Sequence, residues 1–103
     1  MNSNFTKEDI LQAIHKVEHP EIKATLFELG MIRDENISPD NQQVSLTLAL
    51  PVLGIPEEVR YYLVNSLTQA AQAVGAELSY EVAEMSPAER QSFMEKAQRL
   101  WKG

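Results

Sequence analysis

Between Val44 and Leu50 the chain reads VSLTLAL, with Val44, Leu46, Leu48 and Leu50 separated by Ser45, Thr47 and Ala49. Side chains of a strand point alternately to opposite faces, so this period of two demands a strand with one buried face and one milder face. The strand cannot continue through Pro51-Val52-Leu53-Gly54, and the residues after it start a helix. Pro56 suits the first helical position, where its missing N–H costs nothing. Glu57 and Glu58 suit the positive end of the helix dipole. Val59, Leu63, Leu67, Ala70 and Val74 then recur at helical spacing, and Gly75 is placed to cap the end.

The flanking sequence supplies the other elements. Thr6 can cap a helix running to about Glu18, with Asp9 three residues on, and Ile10, Leu11, Ile14 and Val17 form its apolar stripe. Pro20 drives His19 out of the helical region and ends it. The segment from Phe27 to Asp34 reads as a strand, with Gly30 inside it as a bulge or a close backbone approach. Ser38 to Asn41 (SPDN) reads as a type I turn. Ala76 to Ala83 (AELSYEVA) alternates again, placing Ala76, Leu78, Tyr80 and Val82 on one face. Ser86-Pro87-Ala88-Glu89 is a full capping box, opening a last helix over about 86–101 whose apolar side carries Phe93, Ala97, Leu100 and Trp101. The order α-β-β-α-β-α predicts an α+β fold: a compact two-layer domain over 1–103, with a three-stranded mixed or antiparallel sheet and helices on one face.

Composition narrows the function classes. The 103 residues carry a net charge of −6, so there is no basic stripe to neutralise phosphates or anionic lipid, and neither nucleic acid nor membrane is expected as a partner. There is no cysteine, hence no disulfide, thiolate ligand or thiol nucleophile. The first residues, MNSNFTKEDI, lack the basic and apolar parts of a signal peptide, and a cytoplasmic location is expected.

Chemistry-bearing residues are sparse. His15 and His19 are four apart, a spacing that on a helix would present two imidazoles to a zinc ion, with Glu21 close by. Pro20 cuts across that spacing, and two histidines supply too few ligands; a solvated helix end is the plainer reading. Asp34, Glu35 and Asp40 read as solvated loop carboxylates. Of the adjacent Tyr61 and Tyr62, one should pack and the other face solvent. Met85, Phe93, Met94 and Trp101 read as a packed or partner-binding face.

Three stretches taken in order, VEHPEI (17–22), ELGMI (28–32) and LTLALPVLGIPEEV (46–59), resemble the iron–sulfur cluster assembly domain family of the PaaD and SufT type, found also at the N-terminus of Mrp-type cluster-carrier ATPases. The family pattern has Asp-Pro-Glu after the first helix, Leu-Gly-Leu-Val in the first strand and Thr-Thr-Pro-Gly-Cys-Pro before the second helix. EMSPAER (84–90) resembles the Met-Ser-x-x-Ala-Arg ending of several members, so the resemblance spans about 8–90. His19 stands where the family has aspartate, and Ile55 where it has cysteine; Pro20, Glu21, Gly54 and Pro56 match. A thiol beside a helix start would be shifted toward thiolate, and isoleucine can only pack or present an apolar surface. The resemblance therefore implies a non-catalytic adaptor that contacts iron–sulfur assembly or recipient proteins and holds no cofactor or metal of its own. Its contact surface is expected at Pro51, Val52, Leu53, Gly54, Ile55 and Pro56, with Glu21 and Gly30 nearby. The alternatives are a metal-binding or enzymatic domain using His15, His19 and Glu21, or a homodimer with no cluster role.

Overall fold

The computed structural model describes residues 5–38, 40 and 42–102. Its elements are α1 (Lys7–His15), β1 (Ile32–Ser38), β2 (Gln43–Leu50), α2 (Glu57–Ala73), β3 (Glu77–Glu84) and α3 (Pro87–Leu100), in the expected order. The sheet runs β1-β2-β3 and is mixed: β1 pairs antiparallel with β2, and β3 pairs parallel. The turn expected at Ser38 to Asn41 falls partly on Pro39 and Asn41, outside the described residues.

β2 is the centre of the core. Val44, Leu46, Leu48 and Leu50 are all buried, and Ala49 is closed off as well. Each fully buried leucine contributes about 1.5–3 kcal/mol relative to exposure. α1 and α2 pack against each other, α1 against β1 and α2 against β3. They bury Ile10, Ile14, Leu63, Leu67 and Ala71. The opposite face of the sheet presents Ser45, Thr47, Ser79 and Glu81, and forms a shallow polar depression. α3 does not lie across the sheet with the other two helices. Its ties run to loops: Arg90 Nε donates to the Pro51 carbonyl at 2.9 Å, and Lys96 Nζ to the Glu28 carbonyl at 2.7 Å. Arg33 Nη1 donates to both carboxylate oxygens of Glu89, at 3.0 and 2.9 Å, and fixes the start of α3 to β1.

The main departure from the sequence reading lies before β1. Residues 27–31 are not strand. Thr25 and Glu28 form a reciprocal cap: Glu28 Oε1 accepts the Thr25 N–H at 2.9 Å, and Thr25 Oγ1 accepts the Glu28 N–H at 3.1 Å. One helical turn follows, closed by the Leu29 N–H on the Thr25 carbonyl. It ends at Gly30 with φ +77°, after which the Met31 N–H returns to the Leu26 carbonyl. Gly30 is thus the left-handed residue that stops a helical turn, not a bulge. The bulge lies further on: three steps from Arg33 to Asn36 oppose two from Thr47 to Ser45, with Asp34 at φ +56°.

Other differences are smaller. α1 ends at His15, three residues earlier than expected, with Lys16 as its C-cap. Pro56 is the N-cap of α2, at ψ 142°, not its first helical residue. Gly75 follows the end of α2 at φ +70°, where its N–H reaches the Gln72 carbonyl while the Ala76 N–H reaches Ala71, the double bond of a Schellman stop. Tyr61 and Tyr62 are both exposed, so neither packs.

A Cβ at Gly30 would meet no atom within 4 Å, so Gly30→Ala costs only the left-handed backbone, about 1–2 kcal/mol. Gly54 also has open space and is not among the positive-φ glycines, so Gly54→Ala should be neutral or slightly stabilising. Urea midpoints of the two variants check the contrast; equal losses would contradict it.

Candidate functional site

The segment after α1 folds back on itself. The Leu26 N–H reaches the Val17 carbonyl at 2.8 Å and the His19 N–H reaches Ala24 at 3.0 Å, with Glu18 bridged to Thr25. Beside this hairpin runs the chain that leaves α3. The Lys23 N–H donates to the Leu100 carbonyl at 2.7 Å and the Lys102 N–H to Glu21 at 3.0 Å, which pairs Ile22 with Trp101. The 51–56 loop arrives from β2, held by Arg90 on Pro51 and by Arg60 Nη2 on the Leu53 carbonyl at 3.0 Å.

These three segments enclose a cleft of about 260 Å³ lined by His19, Glu21, Met31, Pro51, Ile55, Pro56, Val59, Leu63, Phe93 and Trp101. Most of its wall is apolar. His19 is its buried polar member, at 6% exposure. Its Nδ1 accepts the Glu21 N–H at 3.0 Å, and its carbonyl accepts Lys102 Nζ at 3.3 Å. Burial holds the imidazole below its ordinary value of 6.5; Glu21 opposes this and Lys102 adds to it. The ring is therefore neutral near pH 7.

Four of the residues expected at the contact surface, Pro51, Ile55, Pro56 and Glu21, meet in this cleft, and His19 joins them. Val52 and Leu53 stand exposed on the loop, at 45% and 48%. Gly54 and Gly30 are exposed and do not line the cleft. His15 and His19 have no common helix face, because α1 ends at His15. His15 turns to β1: Nε2 lies 2.7 Å from Glu35 Oε2 and the ring stacks on Phe27 at 3.8 Å between centroids. Glu35 is accordingly a half-buried partner of His15, not a solvated loop carboxylate. Among the described residues, no group of three His, Cys, Asp or Glu side chains is placed to hold a metal ion. Met85 and Phe93 are buried while Met94 and Trp101 are exposed, so the expected apolar set is split. The sequence reading missed Met31, Val59, Leu63, Phe93 and Trp101 as walls of one site.

A family model described as iron–sulfur cluster assembly protein matches residues 7–79, most of the chain. The chain belongs to this family. Comparison with curated proteins and with solved structures gave no significant match. Membership supports involvement in iron–sulfur cluster assembly. The matched segment carries His19, Glu21 and the whole 51–56 loop of this assembly-family member, whereas Phe93 and Trp101, which close the cleft, lie beyond it. Iron–sulfur clusters are held chiefly by thiolates. The cleft offers one imidazole and one carboxylate, with Ile55 at the loop and no cysteine in the sequence. These residues do not fit a resident cluster. No helix among the described residues is long and apolar enough to cross a membrane.

The lowered His19 pKa ties stability to pH. The unfolded chain takes up a proton at the ordinary value of 6.5, while the folded ring resists it. His19 therefore contributes its full stability above 6.5 and loses it as pH falls from there toward the lowered folded value. His19→Asn keeps an acceptor for the Glu21 N–H but removes the titration. The stability difference between native protein and variant should shrink between about pH 7.5 and about pH 5.5, read from urea midpoints; a constant difference would refute the assignment.

Proposed function

We propose that this chain is a non-catalytic adaptor in iron–sulfur cluster assembly or protein maturation, acting through protein contacts at the 51–56 loop and the cleft beside it, without thiolate ligation of its own. The observation that carries the reading is the meeting of His19, Glu21, Pro51, Ile55 and Pro56 in one apolar cleft, with Ile55 at the position that resembles the family's cysteine. Val52 and Leu53 extend the apolar surface outward. Exposed apolar residues grouped in this way suit an interface. The α2 start, which has no side-chain cap on its N–H groups, would activate a thiol at position 55; with isoleucine there the same geometry serves contact.

Partner capture under anaerobic conditions, with captured proteins identified by mass spectrometry, tests the reading. Ile55→Asp should abolish capture of cluster-assembly or recipient proteins. Ile55 is partly buried, so Leu53→Asp, at an exposed position, serves as a second variant and should weaken capture without loss of fold. Undiminished capture by both folded variants would remove the loop from the interface. Stoichiometric metal that co-purifies and is lost in His19→Ala would favour the metal-site alternative instead.

A further inference from the structure

The outer edge of β3 is an open row of backbone groups. The sheet order is β1-β2-β3, and among the described residues no strand or isolated bridge pairs with β3 on the side away from β2. Two hydrogen bonds fix which groups face that side. The Glu77 N–H donates to the Gln42 carbonyl and the Met85 N–H to the Leu50 carbonyl, both at 2.8 Å. Along a strand the N–H and C=O of one residue point to the same side, and those of the next residue to the other. Glu77, Ser79, Glu81 and Ala83 therefore bond to β2, while Leu78, Tyr80, Val82 and Glu84 turn their N–H and C=O outward.

The two edges of the sheet differ. β1 is guarded by its bulge at Asp34, and its neighbours Arg33 and Glu35 are held by Glu89 and His15. β3 has no bulge, proline or lysine, and its register with β2 is unbroken. Such an edge is a template for a further strand. Leu78 and Val82 pack against the core on the helix-covered face, while Tyr80, between them on that face, stays 44% exposed.

The sequence of β3 selects the strand that fits. Two copies related by a two-fold axis meet antiparallel, and outward residues must oppose outward residues for bonds to form. The axis then passes through a residue, not between two. An axis at Glu81 sets that residue against its own copy, and an axis at Ser79 sets Glu77 against Glu81; like charges directly opposite are unfavourable. Axes nearer either end run the pairing off the strand, into Gly75 or into Pro87 where α3 starts. An axis at Tyr80 uses the whole strand. It sets Leu78 opposite the partner's Val82, Tyr80 opposite the partner's Tyr80 and Glu81 opposite the partner's Ser79, and no glutamate directly faces another.

We propose that two copies of this chain pair antiparallel through β3, with the two-fold axis at Tyr80, so that one sheet runs through both. The strand is self-complementary in this one register, which favours a second copy over a foreign strand. The interface goes beyond the adaptor reading and does not rest on it: no residue of β3 lines the cleft, so each copy keeps its own cleft.

Sedimentation equilibrium of the full chain over a dilution series tests the proposal. The expected result is a reversible dimer that tightens with added salt, because each copy carries a net charge of −6. Tyr80→Lys and Tyr80→Glu each set like charges across the axis, so each variant alone should be monomeric. Mixed in equal amounts they should form a dimer again, a rescue possible only for a residue that meets its own copy. Tyr80→Pro removes an outward N–H and leaves the bonds to β2 in place, so it should abolish the dimer with the fold retained, read by circular dichroism. The sequence has no cysteine, so an introduced one reports its own contacts. Cα atoms of a hydrogen-bonded antiparallel pair lie about 5.5 Å apart, within reach of a disulfide. Mild oxidation should therefore cross-link Tyr80→Cys chains in pairs and leave Ser79→Cys chains single. A monomer at every concentration, a dimer that survives both charged variants, or equal cross-linking at both positions would overturn the proposal. A chain that is monomeric alone but loses protein capture on Tyr80→Pro would assign the edge to another protein's strand, and would overturn it equally.

Discussion

β2 is paired along both edges and covered on one face, so every other element takes its place from it. Antiparallel pairing sets β1 through Ile32 opposite Leu48 and Ile37 opposite Val44. Parallel pairing sets β3 in unbroken register from Gln43 opposite Glu77 to Leu50 opposite Glu84. A parallel neighbour requires a crossover, and α2 is that crossover. Because β2 ends at Leu50 under the Met85 N–H, the 51–56 loop leaves from a fixed point and α2 starts at a fixed angle. The apolar alternation of one strand thus decides where the candidate site stands.

The fold was legible where periodicity and capping chemistry agreed. β2, β3 and α3 follow from alternation and from the Ser86–Glu89 box. Residues 27–31 were misread because an apolar run with a glycine suits both a strand and a short turn. The deciding signal was local: Thr25-Leu26-Phe27-Glu28 repeats the spacing of the boxes at Thr6 and Ser86, and its hydrogen bonds hold the Glu28 carboxyl below the ordinary 4.5. The burial of His19 was also out of reach of the sequence, since the residue sits in a folded-back segment beside which tertiary pairing sets the chain that leaves α3.

The site itself was half legible. Motif resemblance pointed to Glu21, Pro51, Ile55 and Pro56, which share a segment order with the family. It could not supply Phe93 and Trp101, which lie past the matched residues. Nor could it separate the loop residues that face the cleft from Val52 and Leu53, which face outward. Adjacent residues in an irregular loop have no fixed alternation, so no periodicity assigns their direction.

The cleft draws its walls from residue 19 at one extreme and residue 101 at the other. Closing such a loop comes at a chain-entropy cost that only the completed sheet and helices offset. No hairpin or helix pair taken alone contains the site. Recognition is therefore coupled to the integrity of the whole molecule: a chain that has lost the Ile22–Trp101 pairing could keep its sheet and still present nothing to bind.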